Sequence, residues 1–514
     1  MYLDIHYGRW HWHHSYLLSL DSCFYHKQLP HCVSSPELIC FNDELAALLA
    51  LPLRKDITDE QWAKWLSGNE LPPASDPIAL AYSGHQFGVF RHLGDGRALL
   101  LGEHIPVSGP LAGKSIDIQL KGSGPTPYSR TGDGRAAIGP MLREYIMSEA
   151  MHGLNIPTTR SLAVVKTGDF VMRERLLPGA ILTRIAQSHV RFGTMEMAAS
   201  LYPTHGIKPL ESLVNYVIKR HDPEVVEQDI EYSYHHYRHW FKRLVKRYVT
   251  LIAKWQSVGF IHGVMNSDNM SIIGETIDYG PCAFLDIYDP EQVFSSIDQQ
   301  GRYRFSQQPM CALWNIQRLV DALAPLFIDG ANELSQRIKH GQSWAYELLD
   351  CFIEDINQQL MDLWLQKFGF LADERNQQSR LFVEETLAWL YEHKEDYSYF
   401  FFLLTEHQRT KIQIADHYHH ASWYHQWQQW MNQGDPSRIN QRIEQMQQVN
   451  PCVVPRNWVI EEALYLAEQG DMQLFDALLK RLQHPYDWPI RQENDPLIQP
   501  NDLSMPKYRT FCGT

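Results

Sequence analysis

The stretch that most constrains this chain runs from Ile261 to Gly280 and reads Ile-His-Gly-Val-Met-Asn-Ser-Asp-Asn-Met-Ser-Ile-Ile-Gly-Glu-Thr-Ile-Asp-Tyr-Gly. An apolar run, Val258 to Ile261, enters a polar loop carrying Asp268 and Asn269. The pair Ile272-Ile273 follows, then a Gly-Glu-Thr turn, then Ile277-Asp278-Tyr279-Gly280. Two short apolar runs separated by a glycine-bearing turn predict a β-hairpin. Its far end would carry the Asp278 carboxylate back toward the loop. A carboxamide and a carboxylate brought together in this way supply hard oxygen ligands for a divalent cation of the kind that nucleotide phosphates carry.

This loop resembles the catalytic half of a protein-kinase-like fold, whose loop reads H-R-D-x-x-x-x-N and whose metal carboxylate opens D-F-G. Here His262-Gly263 stands at the opening, Asn269 at the metal-binding Asn, and Asp278-Tyr279-Gly280 at D-F-G. One position departs: where a kinase has its catalytic Asp, this chain has Val264, which accepts no proton. Asp268 returns a carboxylate to the loop at a different place.

Upstream residues extend the pattern. Gly84 to Gly88, then Leu93-Gly94-Asp95-Gly96-Arg97, then Ala98 to Gly102 read as apolar runs joined by a Gly-Asp-Gly turn, a hairpin whose backbone can lie against phosphates. In Ser115 to Lys121, Ile116, Ile118 and Leu120 share one face and Asp117, Gln119 and Lys121 the other. A loop with Gly132-Asp133-Gly134-Arg135 then enters a helix, Met141 to Leu154, that offers Glu144 and Glu149 as partners for Lys121. Strands are expected over Leu162 to Val171 and Ala180 to Ala186, the second carrying Arg184. Arg191 follows seven residues on, and guanidinium groups in a nucleotide cleft bind phosphate oxygens in pairs.

Before this region, Asn42 caps a helix to Ala50, and Thr58 with Gln61 has capping-box spacing. Helices are expected over Leu210 to Lys219 and Tyr234 to Ser257, and later over Trp314 to Leu326, Trp344 to Phe368, Glu384 to Leu404 and Asn457 to Leu482. Trp423, Trp427 and Trp430 form a core stripe. The clusters His11-Trp12-His13-His14 and His417, His419, His420 and His425 read as packed or solvated aromatic surface rather than metal ligands.

Composition bounds the function. The chain of 514 residues has 46 basic and 60 acidic residues, a formal charge of −14, which argues against non-specific nucleic-acid binding and a polybasic membrane anchor. No apolar run is long enough to span a bilayer, and the N-terminus lacks signal or transit character. The eight cysteines contain no C-x-x-C pair, which fits a reducing cytoplasm.

In these residues the chain resembles the selenoprotein O family of protein adenylyltransferases, kinase-fold proteins once classed as pseudokinases. The resemblance spans roughly Tyr82 to Cys512. It rests on Tyr82-Ser83-Gly84-His85-Gln86-Phe87-Gly88, Leu93-Gly94-Asp95-Gly96-Arg97, Leu120-Lys121-Gly122-Ser123-Gly124, Leu142-Arg143-Glu144-Tyr145, Asn266-Ser267-Asp268-Asn269-Met270-Ser271, Ile277-Asp278-Tyr279-Gly280-Pro281 and Trp314-Asn315.

It implies an α+β, bilobal kinase-like fold. Residues 1–80 would be an N-terminal extension, 81–200 a β-rich nucleotide-binding lobe, 201–484 a mostly helical lobe with its extension, and 485–514 a tail. It implies transfer of AMP from ATP to Ser, Thr or Tyr hydroxyls of proteins, with the nucleotide inverted relative to kinases, protein substrates as partners, and self-modification as a further outcome. Gly94, Gly96, Arg97, Lys121, Asp133, Gly134, Arg184, Arg191 and Asp278 would contact ATP, and Glu144 would pair with Lys121. Asp268 would be the proton acceptor. Asn269 and Asp278 would hold Mg²⁺, with Mn²⁺ as the alternative ion. Cys512 occupies the place where many members have a cysteine or selenocysteine, and a disulfide from it to the body, with Cys282 as one partner, would be a redox control. A phosphotransferase using the γ-phosphate and an ATP-binding regulatory module without turnover are the competing readings.

Overall fold

The computed structural model describes residues 10–226, 232–330, 333–488, 495–501 and 507–510. The fold is α+β, centred on a seven-stranded antiparallel sheet. The strands in chain order are β1 (Tyr25–Lys27), β2 (Glu37–Phe41), β3 (Ile78–Leu80), β4 (Ser83–Gln86), β5 (Val89–His92), β6 (Ala98–His104), β7 (Ile116–Lys121), β8 (Arg160–Met172), β9 (Leu176–Ala186), β10 (Phe260–Ile261) and β11 (Ala283–Phe284). The large sheet runs β1-β3-β6-β7-β9-β8-β2, while β4 with β5 and β10 with β11 form separate two-stranded ladders. Residues before 81 thus supply β1, β2 and β3 to the central sheet.

Alternation along β7 sends Ile116, Ile118 and Leu120 into a core shared with Trp62, Trp65 and Leu45 of the short helices Asp59–Ser67 and Asp43–Leu48. The opposite face of β7, with Asp117, Gln119 and Lys121, is buried as well, so each of its polar groups needs a partner within the protein. That face looks toward the helix Ile138–Gly153, which packs between the sheet and the helices Asn457–Glu468 and Gln473–Leu482. It is buried nearly all round for that reason. At Gly102 in β6 the register shifts, and a Cβ there would meet the Trp12 ring at 2.8 Å, so only glycine admits the N-terminal segment.

Both N-terminal caps form: the Asn42 side chain accepts from Leu45 N, and Thr58 accepts from Gln61 N. The helices Lys208–His221 and Tyr234–Ser257 match their sequence pattern. Other long periodic stretches are broken. Trp344 to Phe368 divides between Leu334–Leu349 and Phe352–Lys367, Glu384 to Leu404 between Gln377–His393 and Tyr397–Thr410, and Asn457 to Leu482 between two helices at Gly470. Trp423 and Trp427 are buried and Trp430 half-buried against Phe370 and Phe382, a core stripe as the spacing requires.

Two hairpin expectations are corrected. Ile272-Ile273 does not pair with Ile277. Instead Ser271 bridges to Arg191 and Thr276 to Thr158, and the ladder that closes this region is β10 with β11. Likewise Gly94-Asp95-Gly96 is not a hairpin turn. The turn is Phe87-Gly88, between β4 and β5, and the Gly94–Arg97 segment connects that small ladder to the large sheet.

Candidate active site

The helix Tyr234–Ser257 delivers the chain into β10, and β11 pairs with β10 to close the intervening segment like a neck. Inside the neck, buried His262 receives its partner from the far side: Nε2 lies 3.0 Å from the Ile277 carbonyl oxygen and therefore donates to it. Asn315 Nδ2 donates to Met265 O at 2.8 Å, and Ser267–Asn269 make a single 3-10 turn. Phe192 N donates to Met270 O at 2.9 Å and Ile272 N to Val190 O at 3.0 Å. This pairing is what brings Arg191 beneath the loop. Asp278 sits at φ 66°, a left-handed conformation uncommon outside glycine, which turns its carboxylate into the cleft between sheet and loop.

A charged cluster converges on Asp278. Its Oδ1 accepts from Lys121 Nζ at 2.8 Å and from Arg184 Nη2 at 2.6 Å, and its Oδ2 accepts from Arg191 Nη1 at 2.7 Å. Glu144 accepts from Lys121 Nζ at 2.5 Å and from Arg184 Nε at 2.8 Å. Burial works to raise the Asp278 pKa, but Arg184, Lys121 and Arg191 overcome it and hold the carboxyl well below its usual range. Burial lowers the Lys121 ammonium, with Arg184 adding to the effect. Among the described residues Lys121, Arg184 and Arg191 make ion pairs with Glu144 and Asp278, three cations to two bonded carboxylates, while the carboxyls of Asp95 and Asp268 act on Arg191 without an ion-pair contact. Glu149, the other helix glutamate expected near Lys121, instead pairs with Arg160, Nη2 to Oε2 at 2.7 Å. Five residues on from Glu144, it leaves from another side of the helix, where Asn42 Nδ2 also donates to it.

Asp268 stands apart from that cluster. Among the described residues only Gln86 Nε2 donates to its side chain, to Oδ2 at 3.2 Å, and Oδ1 is buried without a partner. Burial pushes this carboxyl up to about 6. Arg191 Nη1 donates to the Asp268 backbone carbonyl at 2.6 Å and lies over the Tyr82 ring at 4.9 Å. Asn269 Nδ2 donates to Val264 O at 3.0 Å, which leaves its Oδ1 facing Arg191 at 3.4 Å. Val264 is buried and supplies only apolar surface and that carbonyl.

These side chains line a cleft of about 650 Å³, a volume suited to a nucleotide. The wall opposite the loop comes from Gly94, Asp95, Gly96, Arg97 and from Gly132, Asp133, Gly134, Arg135. Gly94 (φ +134°) lies so close to Tyr128 that a Cβ would meet its ring at 2.4 Å, and a Cβ on Gly134 (φ +67°) would overlap Gly124 at 2.2 Å. Glycine is required at both places if the two loops are to stack. Asp133 is held by Arg173, Nη1 to Oδ2 at 2.8 Å, with Arg135 N donating to Oδ1 at 2.9 Å.

All the sequence-selected cleft residues are therefore gathered at one place. Sequence reasoning missed Asp95 and Gln119, which are hydrogen-bonded across the cleft floor at 2.9 Å, and Gln86 and Tyr82 beside Asp268 and Arg191. For Gln119 the strand alternation was signal enough. Cys512 lies outside the described residues. Cys282 is buried, its thiol pushed up to about 12 by burial and bonded to Tyr279 O.

The model of the family described as "Protein adenylyltransferase SelO" matches residues 11–483. Among curated relatives, the protein nucleotidyltransferase YdiU of Bacillus cereus is 46% identical over 510 residues, covering 98% of each chain. That of Anoxybacillus flavithermus is 45% identical over 514 residues, covering 99% of this chain and 100% of its own. The Bacillus anthracis protein of the same name is 45% identical over 506 residues.

Proposed function

The chain belongs to the SelO family of protein adenylyltransferases, and on that premise we propose that it transfers AMP from ATP to Ser, Thr or Tyr hydroxyls of proteins, through the cleft between the central sheet and the Asp268–Asp278 loop. One observation carries the reading to these residues. Three cations, Lys121, Arg184 and Arg191, and the Asp268 carboxyl, which accepts from Gln86 alone among the described residues, line the same cleft.

In this reading the acceptor oxygen attacks the α-phosphorus, the bond to the pyrophosphate oxygen breaks, and the hydroxyl proton passes to Asp268. With a pKa near 6, Asp268 is ionised at neutral pH and close enough to neutrality to take a proton readily. Lys121, Arg184 and Arg191 offset the charge that develops on the leaving pyrophosphate. Gly94, Gly96, Arg97, Asp133 and Gly134 form the nucleotide wall.

Among the described residues no three His, Cys, Asp or Glu side chains are grouped as metal ligands. Asn269 and Asp278 offer side-chain oxygens on one wall, and a Mg²⁺ ion is commonly held by one or two such groups together with substrate phosphates. The donor set fits Mg²⁺, or Mn²⁺, on that pattern. A bound ion would supply positive charge against the phosphates.

The arrangement supports a bilobal, kinase-like reading with residues 81–200 as the nucleotide lobe, 201–484 as the helical lobe and flanking segments 1–80 and 485–514. Glycine loops, Lys121 paired to a helix Glu144, and the Asn269 and Asp278 loops follow in that order. No described helix is long and apolar enough to cross a membrane, and we place the protein in the cytoplasm, where its thiols stay reduced. A γ-phosphate-transferring kinase would need a base where buried Val264 stands.

The test is incubation with an acceptor protein and ATP labelled on either phosphate. Label from the α-phosphate should become covalently attached to protein, and label from the γ-phosphate should not. Attachment of the γ label alone would replace this reading with phosphotransfer, and attachment of neither would favour a regulatory module.

A further inference from the structure

The Gly-His-Gln-Phe-Gly stretch has a structural role that the transfer chemistry leaves unused. Its β4–β5 ladder is separate from the central sheet, and β4 is fastened to the catalytic loop along its length. His85 N donates to Ser267 Oγ at 2.8 Å, Phe87 N to Asn266 Oδ1 at 3.1 Å, and Gln86 Nε2 to Asp268. A Cβ on Gly84 would meet Asp268 at 2.8 Å. The outer strand is the opposite case: every residue of β5, Val89 to His92, is exposed, and β4 is its sole strand partner among the described residues.

The two-residue turn makes Gln86 and Val89 a hydrogen-bonded pair, and with it Gly84 and Arg91. Phe90 and His92 therefore direct their backbone N–H and C=O groups outward. Arg130 donates to the His92 carbonyl at 2.8 Å, and among the described residues the Phe90 pair and the His92 N–H are left open. An open edge of this kind is a template for another strand.

The turn itself is a second, independent sign. Phe87 has φ 51° and Gly88 φ 85°, a conformation ordinarily given to Asn-Gly. A bulky side chain there costs backbone strain, yet Phe87 is 42% exposed at the cleft mouth beside Ile297 and against Tyr303. Val89 and Phe90 add exposed apolar surface. Arg91, also exposed, has no carboxylate partner among the described residues, in a chain whose overall charge is −14.

We propose that β5 is the docking strand for the protein acceptor. An extended acceptor segment pairs with the Phe90 and His92 edge, sets an acidic residue beside Arg91, and passes over Phe87 so that a hydroxyl a few residues further along reaches Asp268. The occupant is a polypeptide because the family's substrates are proteins, and because main-chain pairing gives affinity with little demand on sequence. A strand paired with β5 lies two strand spacings from β4, roughly 10 Å, too far for a Ser side chain in the paired stretch to reach Asp268. The docking segment must therefore flank the modified residue. This inference rests on the adenylyltransferase reading.

The test uses the full-length enzyme and a library of twelve-residue peptides with acidic, randomised flanks and one central Ser, Thr or Tyr. A matching library lacks any hydroxyl. Phe90→Pro removes an outward N–H without touching the β4 ladder, and Phe90→Ala controls for the lost ring. Binding of the hydroxyl-free library, read by fluorescence anisotropy, should weaken about tenfold in Phe90→Pro and about threefold or less in Phe90→Ala. Labelling of the hydroxyl library from α-labelled ATP should lose a similar factor through KM, with ATP affinity unchanged. Arg91→Glu should weaken binding of the acidic library and not of a basic one.

Equal binding and KM in wild type and Phe90→Pro would overturn the proposal. So would a Phe90→Pro effect explained by loss of a dimer in sedimentation, since a second copy would then occupy the edge. The hydroxyl-free arm involves no transfer. Failure of wild type to label any protein would count against the adenylyltransferase reading, while loss of the difference in anisotropy would count against the docking strand alone.

Discussion

Strand β7 carries two charged clusters on the same buried face, one at each end, and only one of them opens to the cleft. At its C-terminal end Lys121 joins Arg184 and Arg191 around Asp278 and Glu144, three cations to two bonded carboxylates. At its N-terminal end Asp117 accepts from Arg220 Nη2 at 2.5 Å and from His189 N at 2.8 Å. Glu103, opposite it on β6, accepts from Tyr16 N at 2.7 Å, Ser15 Oγ at 2.9 Å and Tyr216 OH at 2.9 Å.

Burial opposes charge on Asp117, yet Arg220 and His189 bring its carboxyl down to about 2, and burial lowers the His189 imidazole from its ordinary value. In this closed cluster every negative charge is met by donors within the protein. The open cluster turns Lys121, Arg184, Arg191 and Asp278 to the cleft, where an entering group can reach them. Equal burial and similar residue types thus serve structure at one end of the strand and, in the function proposed above, ligand binding at the other, and access to the cleft tells them apart.

The largest effect that would sharpen this contrast is in the open cluster. Asp278→Ala should reduce transfer about 10³-fold or more, with far-UV circular dichroism unchanged, because it removes a cleft carboxylate and no core side chain. A folded Asp278→Ala enzyme with full activity would erase the distinction.

Next, Asp268→Asn should lower kcat by about 10²-fold or more, with little change in ATP affinity. Val264→Asp in that background should not restore it. In the wild type, kcat should fall as pH drops through about 6, as the Asp268 carboxylate is protonated. Stability should move the other way across that window. The folded-state pKa is raised above the ordinary 3.8, so the folded protein binds the proton more tightly, and Asp268 contributes less stability as pH rises toward 6. Asp278, held below 3.8, contributes stability that is present above that pH and lost as pH falls below it. A flat kcat–pH profile between 5 and 8 would remove Asp268 from the chemistry.

The smallest catalytic effect is expected at the closed end. Asp117→Asn leaves buried Arg220 with only Glu103, 3.8 Å away, as a paired carboxylate among the described residues and should cost about 3 kcal/mol of stability, read as a lower Tm. Activity per folded molecule should remain within about twofold of wild type. A catalytic loss without a stability loss would show the two ends to be one functional unit.

Much of the open cluster was legible in the sequence because it depends on local periodicity. Alternation set Lys121 on the polar face of β7, and a single helix offered Glu144 in reach. Arg184 and Arg191 stand out in the sequence only as guanidinium groups seven residues apart, and their nucleotide role is what the family resemblance implies. Their convergence depends on β9 pairing with β7 and on Val190–Phe192 pairing with Met270–Ile272, contacts between distant residues that no spacing displays. The same limit explains the errors. Glu149 was equally plausible until Arg160 and Asn42 claimed it. The hairpin turn was assigned to Gly-Asp-Gly because Phe87 at positive φ carries no turn signal. The break between Gln377–His393 and Tyr397–Thr410 falls at Lys394, φ 56°, with no glycine or proline to mark it.

The most direct test of the open cluster's assignment is the stoichiometry of products. Wild-type enzyme, acceptor protein, Mg²⁺ and unlabelled ATP should release one pyrophosphate for each AMP found on protein by intact mass, and Asp278→Ala should give neither. ADP released in step with a phosphate added to the protein would contradict the account.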